Sequence, residues 1–209
     1  MIEVFDKIEQ NSPAWFEIRR GLPTASQFKA ILAKGEGKTR AAYMRKLAAE
    51  IITGQPSEEF KRPEFDRGHA MEAEARNFYS FLADADPQLV GFVRNGQKGA
   101  SPDAFIGDNG LLEIKTQRGD LLVDTILKGD FPSEHIAQIQ GQLWVTDREW
   151  CDLVVYWPNM PAFIRRAYRD SPYIKKLSDA VDQFNDELAY LVEKIKTYSP
   201  SLQSLEKVI

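Results

Sequence analysis

The stretch that most constrains this chain is Ser101 to Lys115, SPDAFIGDNGLLEIK. The Asn109-Gly110 pair favours a tight reversal, so Ala104 to Ile106 is expected to fold back beside a strand through Leu111 to Thr116. Side chains alternate along a strand, which sends Glu113 and Lys115 to one face and Ile114 to the other. Closing the hairpin brings Asp103 alongside Glu113. Hard divalent cations such as Mg²⁺ take one or two carboxylates and complete their shell with water and phosphate, and Asp103 with Glu113 supplies that number. Such an ion neutralises phosphate and acidifies water, and Lys115 adds a positive charge that holds or deprotonates the attacking water. The competing reading of so short a pattern is a solvated hairpin with ordinary surface charges. What surrounds the stretch has to decide between the two.

At 209 residues, 43% apolar and 28% charged, the chain fits one globular domain over 1–209 with a full hydrophobic core. Its net charge of −4 argues against free, nonspecific affinity for a polyanion, although a local basic channel inside an acidic shell remains compatible with it. The single cysteine, Cys151, excludes disulfide frameworks, thiolate zinc sites and iron-sulfur clusters. His69 and His135 are too few and too far apart to form a zinc site. No apolar run approaches the roughly 18 residues of a membrane span, and the start MIEVFDKIEQ has neither the basic nor the apolar block of a signal peptide. A cytoplasmic protein with no membrane partner is expected.

Read in order, the chain begins with helix signals. Ser12-Pro13 caps a helix over Ala14 to Arg20 that stops at Gly21, and Thr24 caps a second that carries Phe28, Ile31 and Leu32 to Lys34. A third spans about Arg40 to Ile52 with Tyr43, Leu47 and Ile51 inward. A fourth spans about Asp66 to Leu82 with Met71, Ala75, Phe78 and Leu82 on one side. Strand-like runs follow at Leu89 to Arg94, Ala104 to Ile106, Leu111 to Thr116, Trp150 to Trp157 and Ala162 to Tyr168, interrupted by one helix from Phe131-Pro132-Ser133 through Leu143. Ser171-Pro172 opens a long last helix through Ile174, Leu177, Val181, Phe184, Leu188 and Leu191. This order predicts an α/β fold: a central mixed sheet flanked by helices, a helical N-terminal region and a long C-terminal helix, with the hairpin mid-sheet.

Six pieces in one order then carry a resemblance. They are Trp15 to Arg19 with Gly21; Thr24-Ala25-Ser26; Arg67 to Glu72 with Ala75-Arg76; Ser101-Pro102-Asp103; Glu113-Ile114-Lys115; and Gln138-Ile139-Gln140 with Trp144-Val145-Thr146. With these the chain resembles the phage lambda-type alkaline exonucleases, the viral recombinase branch of the PD-(D/E)XK nucleases, whose fold is a restriction-endonuclease-like core.

The resemblance implies Asp103 and Glu113 as ligands of a catalytic Mg²⁺, for which Mn²⁺ substitutes, joined by the backbone carbonyl of Ile114, with Lys115 positioning or activating water. It implies Glu72 as an acid facing the same site, either ligating a second metal or holding metal-bound water, Gln140 as a glutamine beside the metal, and Gln138 as its neighbour. Arg19, Ser26 and Ser101 correspond to a pocket that grips the 5′-phosphate of the shortened strand. Two departures stand out: Leu89 to Ala100 contains no acidic residue, which leaves a second metal to Glu72, and Glu36 stands where an arginine is expected, which leaves phosphate contacts there to Lys34, Lys38 and Arg40. The implied activity is digestion of linear duplex DNA from its 5′ ends, by a ring-shaped homotrimer working with a single-strand annealing protein. Alternatives are an endonuclease of the same fold or a silent DNA-end binding module.

Overall fold

The structure, a computed structural model, describes residues 1–33, 38–57 and 63–199, with the backbone alone for 63–69. Along the chain, β1 (Ile2–Phe5) and α1 (Pro13–Arg19) lead through a 3-10 turn at Ala25–Gln27 to α2 (Phe28–Leu32), α3 (Lys38–Thr53) and α4 (Pro63–Ala83). The short strands β2 (Pro87–Gln88), β3 (Phe92–Asn95), β4 (Gly99–Ala100) and β5 (Ala104–Ile106) precede β6 (Gly110–Thr116) and α5 (Gly119–Lys128). A 3-10 turn at Ser133–His135 opens α6 (Ile136–Thr146), followed by β7 (Trp150–Tyr156), β8 (Phe163–Tyr168) and α7 (Ser171–Lys196).

The expected α/β architecture is present. Its central sheet, ordered β2-β5-β6-β7-β8, is mixed. β6 pairs antiparallel with β5 and parallel with β7. Parallel pairing demands a long crossover, and α5 with α6 supplies it. Strand alternation divides the apolar side chains between two layers. Leu112, Ile114, Val154 and Tyr156 pack with Ala75 and Tyr79 of α4, whereas Leu111, Leu153 and Val155 pack with Leu122 of α5 and with Ile139 and Leu143 of α6. A third cluster joins Phe28, Leu47, Leu177, Val181, Phe184 and Leu188, so α7 lays its 3.6-period stripe on α2 and α3. β6 is thus held from both faces, which places the residues it carries on a rigid support.

Several local expectations give way to other physics. A run predicted as one strand, Leu89 to Arg94, instead supplies β3 to a separate sheet, β1-β3-β4, whose first strand the sequence reading missed. α5 lies where the sequence reading assigns no element. Its apolar residues gather on one side of the helix, yet Leu121, Val123, Ile126 and Leu127 are exposed and only Leu122 is buried. In the hairpin, Ile106 pairs with Gly110 and the left-handed residue is Gly107 (φ 52°), so Asn109-Gly110 does not make the turn. Gly110 is required by close approach instead, since a Cβ there would sit 2.2 Å from the Trp150 ring. Ser12 does cap α1, accepting from the Trp15 N–H, but Thr24 makes no side-chain cap, and Asp170 rather than Ser171 caps α7 by accepting from the Tyr173 N–H. On α3, Ile51 is exposed and the buried set is Tyr43, Leu47, Ala48 and Glu50. On α4, Phe78 and Leu82 are exposed, and Tyr79 joins Ala75 inside.

Tyr79 is fixed chemically as well as sterically. Its hydroxyl donates to Asp152 Oδ2 at 2.7 Å, and Arg166 closes a two-pronged pair on the same carboxylate at 2.7 and 2.8 Å. Tyr156 of β7 donates to Glu74 at 2.6 Å. Together these bonds set the position of α4 against the sheet, and with it the position of Glu72. Among the described residues, no helix is long and apolar enough to cross a membrane.

Candidate active site

The hairpin register delivers Asp103 where the sequence placed it. Its N–H donates to the Leu112 carbonyl at 3.1 Å and its Oδ2 accepts from the Ile114 N–H at 2.5 Å, so the aspartate brackets Glu113 along the strand. Glu113 is buried, 2% exposed, yet both of its oxygens are met by donors. Oε1 takes the Lys115 ammonium at 2.6 Å and the Gln138 amide at 2.5 Å, and Oε2 takes the Gln142 amide at 2.6 Å. A buried carboxylate without such partners would be costly, so the two glutamines and the lysine are what allow it to stay there.

The electrostatics point the same way. Asp103 retains some exposed surface, but its carboxyl is enclosed: burial, then the charges of Glu113 and Glu72, push it well above the ordinary carboxylate range, against the pull of Lys115 and the Ile114 N–H. Burial pushes Lys115 down, but the charges of Glu113 and Asp103 and the hydrogen bond to Glu113 outweigh it and hold the lysine above its usual value. Lys115 is therefore an ammonium here, suited to donating to water or phosphate rather than taking a proton. Crowded carboxylates on a rigid support form a donor set that fits a hard dication. Among the described residues no group of three or more histidine, cysteine, aspartate or glutamate side chains is placed to hold a metal ion. A cation held by Asp103 and Glu113 alone would complete its shell with water and phosphate.

Glu72 and Asp103 line one groove of about 330 Å³, together with Asp6 to Gln10, Arg76 and Leu89 to Gly91. Glu72 is held by Arg76 at 3.2 Å, one helical turn away, and faces the site across this groove. Gln140 is a correction. It lies on the other side of α6 from Gln138 and Gln142, donating to the Tyr168 carbonyl at 2.8 Å and accepting from the Asp170 N–H at 2.9 Å, so it fastens the β8–α7 corner rather than the carboxylates. Helical spacing explains this, because positions 138 and 142 share a face and 140 turns away. Gln142 was overlooked; its separation of four from Gln138 was the available signal. His135 continues that line at the mouth of α6, and burial followed by the Lys115 charge lowers its pKa.

The residues matched to a phosphate pocket form one linked cluster. Arg19 stacks 3.5 Å above the Trp15 ring, and its Nη2 lies 3.5 Å from Thr24 Oγ1. Thr24 Oγ1 lies 3.4 Å from Ser26 Oγ. The Trp15 indole N–H donates to Ser101 Oγ at 2.9 Å. Thr24 joins β4 through a bridge to Gly99, which draws Ser26 toward Ser101. A small cavity of about 60 Å³ adjoins Arg19, lined also by Thr24, Gln27, Tyr43 and Lys46. The outlying basic residues do not gather there: Lys38 opens α3 on the exposed surface, Arg40 is committed to Glu187 at 2.7 Å, and Lys34 and Glu36 lie outside the described residues, as do the side chains of Arg67 and His69.

Comparison with known proteins follows the same outline. The YqaJ-like viral recombinase domain matches residues 14–149. The structure of LHK-Exo in complex with dAMP superimposes with a TM-score of 0.82 at 32% identity, over 88% of this chain and 96% of that one. A second structure of LHK-Exo, an alkaline exonuclease from Laribacter hongkongensis, gives 0.80 at 31% identity over the same shares, 88% and 96%. A phage-related exonuclease from Haemophilus somnus 129PT shares the fold, with a TM-score of 0.63 at 14% identity over 83% of this chain and 96% of that one. No curated protein matches the sequence.

Proposed function

The chain belongs to the YqaJ-like viral recombinase family and is of the alkaline-exonuclease kind, and from that premise we propose that it is a Mg²⁺-dependent 5′-to-3′ exonuclease on linear double-stranded DNA. Its product is a 3′ single-stranded overhang, taken up by a single-strand annealing protein in the cytoplasm of a bacterial host. The observation that carries this reading is the convergence of Asp103, Glu113 and Lys115 on one pair of strands, beside a separate cluster of Arg19, Ser26 and Ser101 suited to a terminal phosphate.

Asp103, Glu113 and the Ile114 carbonyl hold the metal, with Mn²⁺ as a substitute. Bound there, the ion supplies Lewis acidity and charge neutralisation at the scissile phosphate. Gln138 and Gln142 orient Glu113, and Lys115 donates to the attacking water or to a non-bridging oxygen. Glu72, across the groove, orders water on the side of Asp103. Arg19 offers a planar donor fork to the end phosphate, and Ser26 and Ser101 add hydroxyl donors. The active unit is a ring-shaped homotrimer, which gives a chain of net charge −4 a topological hold on a polyanion.

The test is nucleotide release in Mg²⁺ from linear and from covalently closed duplex. Release from the linear form alone supports the reading. Internal cutting of the closed circle contradicts it.

A further inference from the structure

We propose that Trp15 is a positioning residue that locks the grip on the terminal phosphate to the catalytic strand pair, an inference that rests on the 5′-phosphate pocket proposed above. One rigid side chain reaches both halves of that pocket. The ring face carries the Arg19 guanidinium, 3.5 Å from its centroid, and the indole N–H is shared between Ser101 Oγ and the Gly91 carbonyl, each at 2.9 Å. Trp15 is 7% exposed, its backbone N–H is capped by Ser12, and Phe16 packs edge-on against it at 5.0 Å. A buried indole with both its face and its donor engaged has little freedom to move. Arg19, by contrast, has a long stem that would otherwise sample many rotamers.

The bond to Ser101 also has a direction. An indole N–H only donates, so it occupies a lone pair of the serine oxygen and leaves the serine's own proton available for an anion. Trp15 therefore presents Ser101 as a donor, which is the polarity that a phosphate requires. Ser101 stands two residues before Asp103, and a second side chain of the N-terminal segment braces the same place. Gln10 Nε2 donates to the Val90 and Pro102 carbonyls, both at 3.0 Å. Gln10 and Trp15 thus staple residues 90–91 to residues 101–102, immediately ahead of the metal-site aspartate. The consequence is a fixed span between the gripped end and the bond that is cut.

The experiment compares full-length Trp15→Phe with the unmodified protein on linear duplexes that differ only in carrying a 5′-phosphate or a 5′-hydroxyl. Phenylalanine keeps a ring beneath Arg19 and deletes the donor. The preference for phosphorylated ends should fall roughly fivefold, the factor expected for one ordinary hydrogen bond. In a double-mutant cycle, Trp15→Phe with Ser101→Ala should fall no further than Ser101→Ala alone. Should the phenylalanine variant not fold, Trp15→His carries the comparison, since its imidazole keeps an N–H and should retain a preference. A preference unchanged in Trp15→Phe, losses that add in the cycle, or a preference abolished in Trp15→His would overturn the assignment. A protein that shows no preference before mutation would instead refute the pocket itself.

Discussion

Gln142 donates to Glu113 Oε2 at 2.6 Å, joining the middle of α6 to the strand that carries the proposed metal ligand. Both residues are buried, 1% and 2% exposed, so the bond has no competing water. Gln142→Leu should cost about 1–3 kcal/mol, the range for a buried acceptor that loses its donor. It should also raise the Mg²⁺ concentration needed for half-maximal activity. Gln140→Leu should lower the melting temperature without moving that concentration, because Gln140 bonds the β8–α7 corner. Equal shifts of the Mg²⁺ midpoint in the two variants would contradict the placement of these glutamines.

Asp103→Asn should abolish turnover while leaving the fold intact. In the absence of divalent metal its melting temperature should match or exceed that of the unmodified protein, because the substitution removes one of three mutually repelling carboxylates. Added Mg²⁺ should raise the melting temperature of the unmodified protein and have no such effect on the variant. Lys115→Ala should lose turnover yet retain DNA binding in Mg²⁺. A variant of either kind with near-normal rates would show that the reaction is carried elsewhere.

Asp152 tests the opposite assignment. It is an aspartate on the strand next to Glu113, but it faces α4 and is consumed by Tyr79 and Arg166. Asp152→Ala leaves a partly buried guanidinium and a buried hydroxyl without their acceptor. It should destabilise the protein by about 3 kcal/mol, the low end for a broken buried pair because Arg166 is 43% exposed. Activity per folded molecule below the melting transition should be unaffected. Loss of turnover in fully folded Asp152→Ala would place this residue in the chemistry.

The central hairpin was legible because its information is local: alternation along one strand and a short return specify where Asp103, Glu113 and Lys115 meet. The apolar stripe of α7 was legible for the same reason, as its period repeats over many turns. β1 and β3 were harder to read, since four-residue strands paired across about ninety positions leave no pattern in either segment. The glutamines needed helical phase, which a motif match does not encode. Gln138, Gln140 and Gln142 alternate as they would on a strand, and only their place on α6 shows that the outer two share a face while the middle one faces away. Trp15 likewise reads as an apolar helix position until Ser101, far along the chain, is brought against its N–H.

The assembly prediction is a mass of three chains. Light scattering at micromolar concentration should return about three times the 23.8 kDa of one chain, with and without DNA. A mass of one chain under both conditions would remove the ring and the topological hold on DNA that it provides.

The most direct measurement is digestion of a linear, 5′-phosphorylated duplex labelled in separate preparations at its 5′ and its 3′ termini, in Mg²⁺, with Asp103→Asn as the control. The account predicts early release of the 5′ label as a mononucleotide, persistence of the 3′ label on a long single strand, and no release of either by the control. Early release of the 3′ label, or release of the 5′ label within long internal fragments, would contradict it.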